Sequence, residues 1–240
     1  MTTLFISDLH LDPASPEITS QAVAFLDQEA RDAEALYILG DLFETWVGDD
    51  DPEPEKRRVV AALRRLADAG VRCYFMHGNR DFMIGEEFAV AAGCTLIADP
   101  TVVKMYGTPV ILMHGDTLCT DDHEYQAFRA MVRNPAWQQA MLARPLAERL
   151  AIAEQLRATS AASMAGKSME IMDVNQDAVA AALRAQGVYT LLHGHTHRPA
   201  VHRFEVDGHE AARIVLGDWY TQGSVLSWNA DGYVLRTLPR

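Results

Sequence analysis

Five short segments end apolar runs in residues that bind cations or phosphates. SDLH brings Asp8 and His10, and LGDLFE brings Asp41. MHGNRD brings Asn79, Arg80 and Asp81, LMHGD brings His114 and Asp116, and LHGHTH brings His193, His195 and His197. Taken singly, each is an ordinary turn or helix cap, because Gly, Asp and Asn favour tight turns. Five together, with imidazole, carboxylate and amide donors and no cysteine, suit Mn, Fe or Zn. Seven ligands are too many for one tetrahedral ion. They suit two ions ~3.5–4 Å apart that share a carboxylate.

Such a centre needs elements that deliver all five segments to one rim. LFIS (4–7), ALYIL (35–39), VRCYFM (71–76) and PVILM (109–113) read as buried strands. Residues 18–33, 54–70 and 82–93 carry helical spacing, the last with Gly85 inside it. This alternation predicts a parallel sheet with right-handed crossovers, and open α/β sheets bind ligands at the carboxyl ends of their strands. Residues 120–186 are helical in pattern, broken at Pro135 and Pro145. Strand-like runs follow at 202–206, 211–216, 224–228 and 233–238, with a turn at NADG (229–232). The expected organisation is an α/β core of residues 1–119 and 187–240, interrupted by a helical insertion, 120–186.

The net charge of −12 over 240 residues argues against general nucleic-acid binding, which needs basic faces. A bound phosphate must therefore be neutralised locally. Three scattered cysteines in no CxxC pair point to a reducing compartment. No apolar run reaches the ~18 residues of a membrane span.

The order DLH, GD, GNRD, HGD, GHTH resembles that of the calcineurin-like metallophosphoesterases, from residue 8 to 197. The resemblance implies an α/β/β/α sandwich flanked by helices, with the C-terminal strands in a second sheet. It also implies that Asp8, His10 and His197 hold one metal, that Asn79, His114 and His195 hold a second, and that Asp41 bridges them. His193, His77, His123, His202 and His209 match no ligand position and are read as structural.

Most of that superfamily has histidine where this chain has Arg80, and the histidine protonates the leaving alkoxide. A guanidinium stays protonated, so the leaving group here should need no proton. A leaving phosphate, matched by Arg80, is such a group. Pairing of Arg80 with Asp81 at the turn is the structural alternative.

With FISDLHL, ALYILGDLFETWVGDDD, ILMHGDTLCTDDHEYQAFR and KSMEIMDVNQDAV, the chain is further similar to the UDP-2,3-diacylglucosamine pyrophosphatases of lipid A biosynthesis. That narrower resemblance implies two Mn²⁺ per chain and water attack on the uridine-side phosphorus, releasing UMP and 2,3-diacylglucosamine 1-phosphate. Catalysis is expected from Asp41, Arg80 and His114. Substrate contacts are expected at Asn79, Arg80, His114, Asp122, Arg157, Ser160, Met164, Lys167 and His195, with Met164 standing where some members have Asn. The expected location is cytoplasmic, peripheral on the inner membrane, with a glycolipid nucleotide as substrate and no nucleic acid or obligate protein partner.

Residues 128–167 carry six basic and two acidic side chains together with several Met and Leu and with Trp137. This pattern is read as a lipid-headgroup and acyl-chain contact; an amphipathic cover over the sheet is the plainer alternative. The rival functions are another phosphodiesterase on the same scaffold and a metal-free scaffold without activity.

Overall fold

The computed structural model of the chain describes residues 1–164 and 171–240. Strand β1 (Thr3–Ile6) runs parallel to β2 (Ala35–Ile38), which is followed by β3 (Arg72–Met76) and β4 (Cys94–Ile97). Both faces of β1 are covered. Leu4 and Ile6 pack under the helices and Phe5 packs toward the second sheet, which is why the strand reads as continuous apolar sequence.

Helix α1 (Pro16–Asp27), α2 (Pro54–Asp68) and α3 (Glu86–Ala92) cover the outer face of this sheet. In α2, the Glu53 carboxylate accepts the Lys56 N–H, Pro54 sits in the first turn, and Val59, Val60, Leu63 and Leu66 are buried at helical spacing. Helix α3 starts after Gly85, so that glycine precedes the helix rather than interrupting it. The helical pattern read over 18–33 ends at Asp27 and continues only as a 3₁₀ turn, Glu29–Asp32.

The second sheet has the order β5, β6, β7, β9, β8. Strand β5 (Thr101–Met105) forms a hairpin with β6 (Thr108–Met113) across Tyr106–Gly107, both at positive φ. Strand β7 (Thr190–His193) lies between β6 and β9 (His209–Val215), and β8 (Ala200–Val206) pairs with β9. Strands β10 (Gly223–Asn229) and β11 (Gly232–Leu238) join the first sheet instead, with β10 antiparallel to β1. The expectation that all the C-terminal strands form the second sheet is thus corrected. The C-terminal half supplies one hairpin to each sheet, and the segment 109–113 leaves the first sheet for the second. Hairpins that look alike locally differ only in what their apolar faces meet across the sandwich.

Phe5, Leu39, Leu112, Leu192, Ile214 and Leu226 fill the space between the sheets. Helices α4 (His123–Val132), α5 (Pro135–Leu142) and α6 (Leu146–Met164) follow β6. Helix α7 (Gln176–Gln186) packs Val179 and Leu183 on Ile111 and Leu191 of the second sheet, completing the α/β/β/α layering. Among the described residues no helix is long and apolar enough to cross a membrane.

Candidate active site

Among the described residues, seven non-glycine residues have positive φ, and five of them are Asp8, His10, Asp41, His195 and His197. Left-handed backbone at such residues is unfavourable by about 1–3 kcal/mol each and persists only where the surroundings enforce it. Here the loops after β1, β2 and β7 enforce it on one rim. Glycine permits their close approach. A Cβ on Gly78 would lie 2.1 Å from Asp41 Oδ1, and one on Gly194 would lie 2.3 Å from Asp8 Oδ2.

Two clusters result, Asp8–His10–His197 and Asp41–His114–His195. In the first, His10 Nε2 lies 3.1 Å from His197 Nε2, and Asp8 Oδ1 lies 3.5 Å from that same nitrogen. In the second, Asn79 Oδ1 lies 2.9 Å from His114 Nε2 and 2.8 Å from His195 Nδ1. Asp41 Oδ2 stands between the clusters, 3.8 Å from His10 Nε2 and 3.8 Å from His114 Nε2. All seven residues singled out as ligands from sequence are therefore brought together.

The hydrogen bonds show what this donor set accommodates. His10 Nδ1 donates to Glu44 at 2.8 Å, and His114 Nδ1 donates to the Leu39 carbonyl at 2.8 Å. In its neutral form each ring turns a lone pair inward, His10 at the His197 nitrogen and His114 at the Asn79 oxygen. Lone pairs facing each other at these distances repel unless a cation or a proton lies among them. Burial drives the His114 imidazole down, but Asp41 and Asp116 overcome it and hold the group at about 9. His195, buried and beside His114, falls to about 4. The second cluster thus attracts one positive charge, and its N/O composition fits a divalent ion.

Arg80 does not pair with Asp81. The Asp81 carboxylate instead accepts backbone N–H groups of Leu42 at 2.7 Å and Gly78 at 2.9 Å, tying the second and third loops together. Burial, reinforced by Asp41, raises its pKa to about 7. Arg80 Nη1 lies 3.5 Å from Glu44, and Arg157 Nη1 lies 3.8 Å from the same oxygen. Nε of each arginine is buried, with no acceptor among the described residues. Both line an open cleft, with Asn79, Glu44 and Ser160 at its polar part. Trp46, Phe82, Phe128, Trp137, Met141 and Leu156 supply apolar wall.

Of the remaining expected contacts, Asp122 caps α4 by accepting the Tyr125 N–H at 3.0 Å. Met164 ends α6, and Lys167 lies outside the described residues. His193 enters neither cluster; it is buried, with Arg213 3.3 Å from its Nε2. Sequence reasoning passed over Glu44, although LGDLFE displays it three residues after Asp41. It also left Asp116 without a task, and that buried carboxylate accepts from Tyr125 Oη and Arg129 Nε, both at 2.7 Å.

Among the described basic residues of 128–167, Arg129, Arg133 and Arg149 turn inward, contrary to a cationic outer face. Arg149 is buried and bonds Asp50 and the Val47 carbonyl, and Arg133 donates to the Gly78 carbonyl at 2.8 Å. With Arg129 on Asp116, these arginines fasten the helices to the acidic core.

The calcineurin-like phosphoesterase family model matches residues 1–199. The chain belongs to this family. It is 52% identical to the UDP-2,3-diacylglucosamine hydrolase of Stenotrophomonas maltophilia (strain R551-3), with 100% of both chains covered. It is 54% identical to the enzyme of that name from Nitrosococcus oceani, over 97% of this chain and 93% of the relative. A solved structure described as a novel archaeal phosphodiesterase shares the fold at 13% identity, with a TM-score of 0.50 over 99% of this chain and 100% of the other.

Proposed function

We propose that this chain hydrolyses the pyrophosphate bond of UDP-2,3-diacylglucosamine, giving UMP and 2,3-diacylglucosamine 1-phosphate in lipid A biosynthesis. The observation that carries this reading is the cleft. It joins the donor clusters, through Asn79, Arg80 and Arg157, to an apolar wall of Trp, Phe, Met and Leu side chains. The names of the relatives, at 52% and 54% identity, agree with it.

In this reading Asp8, His10 and His197 would hold one Mn²⁺, Asn79, His114 and His195 would hold a second, and Asp41 would serve both. Such ions lower the pKa of water and neutralise phosphate oxygens. The rest falls to the protein. Asn79, His114 and His195 fix the uridine-side phosphate over the rim. Arg80 meets the sugar 1-phosphate, which departs as an anion and needs no proton. Arg157 and Ser160 contact the glucosamine phosphate from α6, and Asp122, Met164 and Lys167 are further proposed contacts. The insertion 120–186 acts as a cap. Its working part is α4–α6, since α7 packs on the second sheet. The cap's apolar side receives the acyl chains, so binding energy distant from the phosphates serves their cleavage. The site of action is the cytoplasmic face of the inner membrane, where such a lipid resides.

Turnover in oxygen-18 water, followed by phosphorus NMR, tests the bond assignment. The heavy oxygen is expected in UMP. Its appearance in the sugar 1-phosphate would refute attack at the uridine side. UDP-N-acetylglucosamine, which has the same pyrophosphate without acyl chains, is expected to be turned over very poorly. Equal turnover would reduce the cap to a structural cover.

A further inference from the structure

The Glu44 carboxylate divides its two oxygens. Oε2 accepts the Nδ1–H of His10 at 2.8 Å, and Oε1 lies 3.5 Å from Arg80 Nη1 and 3.8 Å from Arg157 Nη1. Side-chain exposure is 21% for Glu44 and 24% for Arg80, so water screens these contacts only in part. Residues 80 and 157 come from distant parts of the chain, the loop after β3 and helix α6. Glu44 lies near both because the loop after β2 carries it three residues beyond Asp41. Asp12 Oδ2, 3.8 Å from Arg157 Nη1, is a second carboxylate at that guanidinium among the described residues.

The orientation follows from which nitrogens are engaged. Both arginines meet Glu44 through Nη1, while Nε of each is buried without an acceptor among the described residues. A guanidinium held at Nη1 leaves its Nε–Nη2 edge for a ligand, and that edge is the planar fork that takes two phosphate oxygens. A buried donor without a partner is unfavourable, so two of them in one cleft point to an anion that completes them. At the other oxygen, the bond to His10 Nδ1 fixes the ring so that Nε2 faces Asp8, Asp41 and His197. Outer partners of this kind hold a ligating imidazole in its tautomer and orientation.

We propose that Glu44 is a positioning residue that couples the two halves of the active site. One oxygen orients His10 toward the first cluster, and the other aligns Arg80 and Arg157 as a paired clamp for the departing phosphate. Glu44 touches no reacting atom. It acts through the three side chains it holds. This inference rests on the pyrophosphatase reading for the identity of the departing group, and on the geometry alone for the His10 contact.

The test uses Glu44→Gln, which keeps size and one acceptor, and Glu44→Asp, which keeps charge but shortens reach. Mn²⁺ binding to the metal-stripped protein is followed by calorimetry. The affinity of one site is expected to fall by about 10–100-fold in Glu44→Gln, the usual scale for losing such an outer partner. Rates are then measured at saturating Mn²⁺ on UDP-2,3-diacylglucosamine and on an activated aryl phosphodiester. The diester rate is expected to recover, while kcat on the lipid stays about tenfold or more below wild type, because the clamp remains unaligned. In an Arg80→Ala background, Glu44→Gln is expected to lower the lipid rate by less than about threefold. Glu44→Asp should fall between wild type and Glu44→Gln.

Unchanged Mn²⁺ affinity would overturn the His10 half. Full additivity with Arg80→Ala, or equal losses on both substrates at saturating metal, would overturn the clamp half. If the wild-type protein itself leaves the lipid intact while hydrolysing the diester, the pyrophosphatase reading fails. The calorimetric result still decides the His10 contact.

Discussion

The rim of the sandwich and the cap beside it hold their functional side chains by different means. Asp8 and His114 are fully buried on the rim, Asp41 is 2% exposed, and neighbouring loops meet through glycines that admit no side chain. Helices α4–α6 leave Met131, Leu142 and Leu150 between 41% and 48% exposed. They meet the core through charged contacts at Asp50, Asp116 and Gly78. Strained backbone locked by hydrogen bonds gives fixed donor positions, which an ion of defined geometry requires. Arginine tethers on short helices allow the wall of a cleft to adapt, which suits mobile hydrocarbon, and methionine in that wall adapts further. The division predicts that rim substitutions affect every substrate, and cap substitutions only those with a lipid arm.

The sharpest way to break that division is Asp41→Ala. Asp41 faces both clusters, so its removal is expected to lower hydrolysis of the UDP-lipid and of a simple aryl diester alike, by more than about 10³-fold. Loss of a single charge-stabilising group already reaches 10²–10³. Metal content of the purified variant, measured beside its rate, checks the cause. Two retained equivalents of metal with a near-wild-type rate would place the reaction elsewhere.

Arg80 stands at the boundary between the regions, and its substitution sharpens the comparison. Arg80→Ala is expected to slow the UDP-lipid by about 10²–10³-fold. The aryl diester, whose leaving group carries no phosphate, should lose much less. Equal losses would assign Arg80 to the fold or to the metals.

The two regions also differ in how legible they are. All the donor residues of the rim could be read because strand ends must turn, and a turn made of Asp, His or Asn instead of apolar residues is visible in one dimension. The central strands were equally plain, since burial on both faces makes them continuous apolar runs. Strand β4 and strand β5 were not anticipated, because β4 is an edge strand with mixed burial and β5 alternates exposed positions. Sheet membership of the last four strands depends on contacts across the sandwich, which local patterns do not carry. In the cap, charge was legible but its direction was not. Arg149 looks like a surface cation in sequence, and only the position of Asp50 and the Val47 carbonyl explains why it is buried. Glu44 was overlooked because its partners lie 34, 36 and 113 positions away.

Within the cap, Met141 and Arg149 separate lining from fastening. Met141→Asp puts a charge into the apolar wall and is expected to lower kcat/KM for the lipid by about 10–100-fold, from the ~1.5–3 kcal/mol of a buried apolar side chain. The aryl diester should be spared. Arg149→Ala removes charged hydrogen bonds worth about 1.5–3 kcal/mol. Faster amide exchange is expected in α5 and α6, with β1–β3 unchanged. Uniform exchange across the whole chain would show that cap and core unfold as one unit and that the regional distinction is not energetic.

The smallest expected effect concerns the outer face of the cap. With Arg129, Arg133 and Arg149 engaged by the core, the electrostatic pull on an anionic bilayer is weaker than six basic residues suggest. Arg144 remains outside, its side chain 52% exposed, but Glu148 lies 3.5 Å away and offsets part of its charge. A basic residue near an anionic surface contributes about 1 kcal/mol, roughly a fivefold change in binding, and the neighbouring carboxylate lowers that. Arg144→Gln should therefore weaken cosedimentation with anionic phospholipid vesicles by less than about fivefold. Added salt should weaken the wild-type protein similarly, since exposed charges are screened within ~10 Å at 0.1 M. The exposed Met131, Leu142 and Leu150 would then carry most of the attachment. Leu142→Asp should reduce vesicle binding more than Arg144→Gln does. If instead Arg144→Gln abolished binding, charge would dominate after all, and the inward arginines would have to turn outward at the membrane.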